Sequence, residues 1–264
     1  MPNIEKARTF IYRNARPLDL ARFQFHFEGG SAEAVLTALA VYQNEDGGFG
    51  HALELDNWNP NTTPIATWVA CELLHEIGFD DASHPIMQGI LRYLGSGKDF
   101  DGRLWATCPQ SNADYPHAPW WNPPKKNQAS EPNYNPTAAL AGFILRFAQP
   151  GSEVHALGVR VAKEAADWFM AAENTISFLN NCYKNLLEWT KPVDVADVFD
   201  AQALAQKLQE KETEDSSISE QQDDGSWEIP WNWGKKNKYP AAFAISQNWW
   251  KSYVIVEILL KMKG

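Results

Sequence analysis

The sequence predicts an all-α fold of two concentric helix layers, an α/α barrel, and three observations carry that reading. Helical segments come in two kinds, one-sided and apolar all round, and they alternate in a fixed order. An Asp-Gly turn recurs between the two kinds. Strand-like alternation is nearly absent across the 264 residues.

The one-sided segments come first in each unit. Ser31 to Tyr42 sets Val35, Leu36, Leu39 and Tyr42 on one face. After His84, the residues Ile86, Met87, Ile90, Leu91 and Leu94 do the same, and Glu153 to Ala172 repeats it with Val154, Leu157, Val161, Ala165 and Trp168. Each spacing places one helix face on a core and the other in water. Ile65 to Ile77, Thr137 to Phe147 and Tyr253 to Met262 carry only isolated polar residues such as Glu72, Arg146 and Glu257. Helices of that kind are buried on most sides, so these three are predicted as the inner layer. Asp46-Gly47, Asp101-Gly102 and Asp224-Gly225 separate the kinds, and Pro64, Pro136 and Pro240 stand where the inner helices begin, a position that tolerates the missing N–H. A solenoid ranks second, because it does not bury helices on every side. The pattern yields about ten helices in five or six pairs, forming one domain over 1–264.

Two long loops interrupt the pattern, at about 106–135 and 212–240. The first has no helical period, and a structureless stretch of that length is commonly functional. The second opens with the acidic, serine-rich Glu212 to Gln222, read as an exposed loop. Trp105, Trp120 and Trp121 fall in one short window, and Trp227, Trp231, Trp233, Trp249 and Trp250 in another, both read as loop. With 12 tryptophans in all, that clustering favours a lined cavity.

Composition excludes several classes of function. A net charge of −10 argues against nucleic acid or an anionic membrane as partner. No apolar run reaches the roughly 18–20 residues of a membrane span. Met1 to Phe10 carries Glu5, Lys6 and Arg8 and does not read as a signal peptide. Cys71, Cys108 and Cys182 have no paired spacing, which suits a reducing cytoplasm and offers no zinc motif. The expected partner is a small molecule, with no cofactor and no metal.

Gln43-Asn44-Glu45-Asp46-Gly47-Gly48-Phe49 and Gln221-Gln222-Asp223-Asp224-Gly225-Ser226-Trp227 share one spacing. The glycine ends a helix, the Asp ties the turn, the aromatic packs back, and the Gln can reach the next unit. Asp101-Gly102-Arg103-Leu104-Trp105 is a degenerate third copy, with Lys98 in the Gln position. This pattern resembles the QW repeats of squalene–hopene and oxidosqualene cyclases. Asp46 to Gly50, with Asp56 beyond, is similar to the β-subunit repeat of protein prenyltransferases, and both families belong to the α/α-toroid superfamily. DGGFGHALELD (Asp46 to Asp56) and DYPHAPWW (Asp114 to Trp121) also resemble small bacterial prenyltransferase-like proteins. The resemblance implies an α/α toroid with its pocket where the inner helices begin. Two departures stand against the enzymatic families. No Asp-x-Asp-Asp acid motif is present, and Trp58 stands where a zinc-binding Cys would follow Asp56. A prenyl diphosphate also needs a basic pocket, for which the loops offer only Arg103, Lys125, Lys126 and the Lys235, Lys236, Lys238 group.

Candidate chemistry lies just after the Asp-Gly turns. Glu54 and Asp56 stand two apart, so in extended chain they point the same way, roughly 6.5–7 Å apart. Carboxylates that close resist ionising together, and one becomes a general acid; the bland alternative has them capping a helix and backbone amides. Asp114, Tyr115 and His117 form a second polar group leading into Trp120 and Trp121, although loop histidines are more often simply hydrogen-bonded. His51 is similar. His26, His75, His84 and His155, with Trp68, Trp168 and Trp189, fall on helical patterns and read as structural. Trp58, Trp120, Trp121, Trp231 and Trp233, with Tyr134, can present π-faces to a cation or a sugar ring.

Catalysis is therefore expected from Glu54, Asp56, Asp114 and His117. Substrate contacts are expected from His51, Trp58, Tyr115, Trp120, Trp121, Tyr134, Trp231 and Trp233. The leading function is acid-initiated chemistry on an apolar or partly apolar small molecule. A carbohydrate-processing α/α-barrel enzyme and a non-catalytic ligand-binding module stay open.

Overall fold

The computed structural model describes residues 2–125, 133–173, 177–211 and 220–263, with side chains of 177 and 178 left aside. Lys126 and most of the acidic stretch, 212–219, lie outside the described residues. The chain is all-α: α1 (Ile4–Asn14), α2 (Pro17–Phe27), α3 (Ala32–Ala40), α4 (Pro64–Glu76), α5 (Pro85–Gly95), α6 (Thr137–Phe147), α7 (Glu153–Ala171), α8 (Ser177–Thr190), α9 (Ala201–Lys211) and α10 (Pro240–Lys263). Among the described residues there are no strands, only isolated bridges. None of these helices is long and apolar enough to cross a membrane.

Burial follows the two kinds of helix. In α4 the residues Pro64 to Trp68, Ala70, Cys71, Leu73 and Leu74 are buried, and in α6 every residue from Thr137 to Leu145 is. Pro64 fills the first turn of α4 without wasting an N–H, and the Thr63 hydroxyl accepts from Ala66 N at 3.1 Å. Pro136 instead caps α6 from outside. One-sided α5 and α7 are capped by His84 and Ser152 and present their buried stripes to α6. α6 packs most heavily on α7 and α8, while α10 lies against α1 and α2. The third segment expected to be buried on most sides is not. In Tyr253–Met262 the residues Ile255, Val256, Ile258 and Leu259 are buried while Lys261 and Met262 are exposed, because with Ser252 the buried positions form a single helix face; the helix is also longer than its apolar stretch. α10 starts at Pro240, so Trp249 and Trp250 are helical residues and not loop. The 106–135 loop holds two short 3-10 turns, Gln110–Asp114 and Pro119–Trp121.

The first and last turns are built alike. In the first, Gln43 Nε2 donates to Gly47 O at 2.9 Å, Asn44 N to Gly48 O at 2.8 Å, and Gly48 N to Asp46 Oδ1 at 3.1 Å. In the last, Gln221 Nε2 donates to Gly225 O at 3.0 Å, Gln222 N to Ser226 O at 2.8 Å, and Ser226 N to Asp224 Oδ1 at 2.9 Å. Each Gln also reaches another helix. Gln43 donates to Ile86 O in α5, and Gln221 to Asn3 O at the start of α1. The glycines, at φ 96° and 93°, sit so close that a Cβ would lie 2.1 Å from Gly89 O and 2.2 Å from Lys6 O. Only glycine fits.

A buried ionic cluster joins α2, α4 and α10. Arg22 is fully buried and pairs with Asp19 at 3.4 Å, with Glu257 at 2.8 Å and with Glu76. Its guanidinium lies 4.4 Å from the centre of the Tyr253 ring, and Glu76 also meets His26 at 2.9 Å. Charges so placed persist only when each is matched.

Candidate functional site

The two loops that precede α4 and α6 meet face to face. Trp58 N donates to Pro116 O at 2.9 Å and Ala118 N to Asp56 O at 2.8 Å, which pairs 56–58 with 116–118. Buried amides lock the contact. Asn57 and Asn59 both donate to Asn112 Oδ1, at 3.1 and 3.0 Å, and Asn112 donates to Trp121 O at 3.0 Å. From α10, Ser246 Oγ donates to Leu55 O at 2.6 Å and accepts from Trp58 Nε1 at 2.8 Å.

The carboxyls of Glu54 and Asp56 sit at the centre of this contact, 8% and 2% exposed. Glu54 Oε1 accepts from Asp56 N and from Trp121 Nε1, each at 3.1 Å. Asp56 takes Trp233 Nε1 at 2.7 Å on one oxygen and Trp231 Nε1 at 3.2 Å on the other. The Trp250 N–H also favours the Asp56 charge, without reaching hydrogen-bond geometry. Burial, then the neighbouring Asp56 charge, pushes the Glu54 carboxyl up to about 7; the Asp56 amide, Trp121 and Arg16 oppose the rise. Burial also raises Asp56, against the pull of its indole donors. Arg16 ties the loop from beneath, donating to Ala52 O at 2.9 Å and pairing with Asp19 at 2.7 Å.

The aromatic shell is half-buried on the α10 side. Trp58 stacks on Trp249 at 5.4 Å, Trp231 meets Trp250 edge-on at 5.0 Å, and Trp250 meets Tyr253 edge-on at 5.4 Å. All five rings keep part of their surface accessible.

The remaining expected site residues fall in different places. His117 is buried beside the loop contact, with Nδ1 on Tyr115 O at 2.7 Å and Nε2 on Asn122 Oδ1 at 3.0 Å. Tyr115 is half-buried. Asp114 ends a 3-10 turn, exposed, and its carboxylate makes no hydrogen bond or ion pair among the described residues. His51 is exposed at φ 56°, bonded to Asn44 at 2.9 Å. Tyr134 is fully buried and its hydroxyl accepts from Arg103 Nε at 2.9 Å. Trp120 turns outward at 44% exposure and lines a groove of about 820 Å³ with Phe100, Arg103, Trp105, Cys108 and Asn122. Glu54 and Asp56 do not line that groove. Arg16, Asn112 and Ser246 build the site without a motif to announce them; only the run of asparagines at 57, 59 and 61 hints at a loop wired by amides.

Among the described residues, no group of three His, Cys, Asp or Glu side chains is placed to hold a metal ion. Compared with known families, curated proteins and solved structures, the chain matches none.

Proposed function

We propose that the chain is an enzyme of the α/α-toroid type that protonates an apolar or partly apolar small molecule, with Glu54 as the proton donor. The observation that carries this reading is the carboxyl pair. Glu54 holds its proton to about 7, while its neighbour Asp56 receives two indole N–H bonds. Divergent environments of that kind divide acid and anion roles between two carboxyls. Glu54 gives its proton to the substrate, and the positive charge that develops faces Asp56 and the rings of Trp58 and Trp249. Loss of a proton from the product cation to the Glu54 carboxylate restores the acid. The toroid is supported by the two matching turns: the first seats its glycine on α5 and the last on α1, as repeats that close on themselves would.

The outward-facing Trp120 and its open groove, which the carboxyl pair does not line, favour a second reading, a carbohydrate-processing enzyme that seats its sugar on the Trp120 face. The test offers polyprenyl alcohols and aryl glycosides to the purified protein at about pH 6, below the Glu54 titration, with products read by mass spectrometry. A product that disappears in Glu54→Gln supports the acid, and its class chooses between the two readings. Equal turnover by Glu54→Gln overturns the acid role, and stoichiometric retention of an unaltered ligand makes the chain a binding module.

A further inference from the structure

Two consecutive residues on the approach to Glu54 hold left-handed backbone without being glycine, His51 at φ 56° and Ala52 at φ 59°. That conformation is unfavourable for a residue with a Cβ and persists only where its surroundings hold it. Locally, Leu53 N donates to Gly50 O at 3.0 Å and His51 N to Asn59 O at 2.9 Å. The carbonyls that follow are taken by side chains from far along the chain. Arg16, the residue before α2, donates from Nη1 to Ala52 O at 2.9 Å and to Leu53 O at 3.3 Å. Ser246 in α10 takes Leu55 O.

The rest of the Arg16 guanidinium is committed as well. Nε and Nη2 donate to the two Asp19 carboxylate oxygens at 2.7 and 3.3 Å. Its carbon lies 5.7 Å from the centre of the Tyr42 ring and 5.8 Å from that of Trp249, the ring that stacks on Trp58. Arg16 and Asp19 are 5% and 0% exposed. One planar fork thus joins α2, the strained turn and the aromatic shell. A lysine ammonium, a single point of charge, cannot span the same partners.

We infer that Arg16 is a positioning residue for the carboxyl pair: its guanidinium clamps the left-handed turn at His51 and Ala52, and so seats Glu54 in the contact between the two loops. Its meaning for catalysis rests on the reading of Glu54 as proton donor, but the clamp itself is tested without turnover. The charged groups that face Glu54 are Asp56 on its own loop and Arg16, which is in turn faced by Asp19 and Tyr42. The opposite loop brings the neutral Trp121 N–H, and its His117 spends both ring nitrogens on Tyr115 O and Asn122. α10 brings the neutral Ser246 to Leu55.

The test is the carbon-13 titration of the glutamate Cδ resonances, with the signal missing from Glu54→Gln identifying Glu54. Burial is the largest cause of its rise to about 7. A released turn admits water, so Arg16→Lys, which keeps the charge and loses the fork, is expected to lower the Glu54 value by at least about one pH unit. Arg16→Met is expected to lower it too. A rise in Arg16→Met with no change in Arg16→Lys would show that Arg16 acts through its charge alone and would overturn the clamp. So would an unchanged value in both variants. Adding Ala52→Gly to Arg16→Lys should bring Glu54 back toward about 7, because glycine takes the left-handed turn without strain; failure of that rescue also counts against the clamp. In wild type, a clamped guanidinium gives separate Nη resonances, and averaged ones would overturn the proposal whether or not the variants fold. Equal turnover by Glu54→Gln would remove the acid and leave the clamp standing, so the two ideas fail separately.

Discussion

The indole N–H of Trp121 donates to the Glu54 carboxyl at 3.1 Å, joining side chains that stand 67 positions apart. That bond couples the loops that precede α4 and α6. It also opposes the burial that keeps Glu54 protonated, so the ring and the acid control one another.

Trp121→Phe keeps the ring and removes the donor. The Glu54 carboxyl is then expected to rise above about 7, by about one pH unit for one lost hydrogen bond. Carbon-13 NMR titration of the glutamate Cδ resonances measures it. An unchanged or lower value would show that the indole does not hold the carboxylate in solution.

Stability should depend on pH in two opposite ways. Glu54 and Glu72 both titrate at about 7, Glu72 through burial first and the Glu257 and Glu76 charges as well, against the Asn185 amide. An unfolded Glu titrates at about 4.3, so the folded chain holds these protons more tightly. The stability they contribute is complete below about pH 4.3 and is lost as pH rises through about 7. Glu76 runs the other way: burial would raise it, but Arg22 and His26 hold it at about 2. Its contribution is present above about pH 4.3 and lost as pH falls toward 2. Urea unfolding across this range should therefore show a maximum on the acid side of neutrality. Glu72→Gln should flatten the alkaline limb, by up to about 1.4 kcal/mol per pH unit. An alkaline limb unaltered in that variant would remove Glu72 from the account.

Removing the central cation should be severe. Arg22→Met leaves Asp19, Glu76 and Glu257 without their shared partner inside the α2–α4–α10 contact. The expected loss is about 3–5 kcal/mol, and Glu76→Gln in the same background should restore part of it. A loss below about 1 kcal/mol in urea unfolding would mean that water reaches the cluster freely.

Asp56→Ala strands the Trp231 and Trp233 donors together. With the buried Trp233 N–H and the half-buried Trp231 N–H left unmet, about 1–3 kcal/mol of stability should go. Asp56→Asn keeps one carbonyl acceptor and should lose about half as much. Equal losses in the two variants would show that charge, not the acceptor count, holds the indoles.

The turn glycines separate backbone conformation from packing. Gly47→Ala puts a methyl 2.1 Å from Gly89 O, whereas Gly102, at φ 99°, has nothing within 4 Å of its Cβ. Both variants carry the strain of a positive φ, about 1 kcal/mol. Only Gly47→Ala must also push α5 away, so it should fall clearly below Gly102→Ala in thermal melts. Matching melts would mean the turn is not seated on α5.

Burial from every side requires an apolar residue at nearly every position, and so α4 and α6 are legible in the sequence. α10 is legible only from Tyr253 onward, because Gln247, Asn248 and Lys251 break the apolar run in its first half. The asparagines of α8 disguise it in the same way. The approach of Glu54 and Asp56 to His117 and Trp121 follows from repeat topology, since both loops precede a buried helix. Orientation does not follow. Trp231 and Trp233 read as π-faces, yet they turn their N–H edges to Asp56. A carboxylate's need for donors is set by burial, which exists only once distant segments have closed over it. Asp114 shows the converse: its sequence neighbours are drawn into the contact, while the 3-10 turn leaves its own side chain in water.

Asp56 waits for donors that lie 175 and 177 positions downstream. Synthesis on the ribosome is vectorial, so the carboxylate emerges early and spends most of translation without them. Helices α1 to α7 can all leave the exit tunnel before Trp231 and Trp233 are made. A stop codon between α8 and Trp231 yields a chain with most of its helices and an unseated acid pair, the kind of half-finished product that proteolytic surveillance removes.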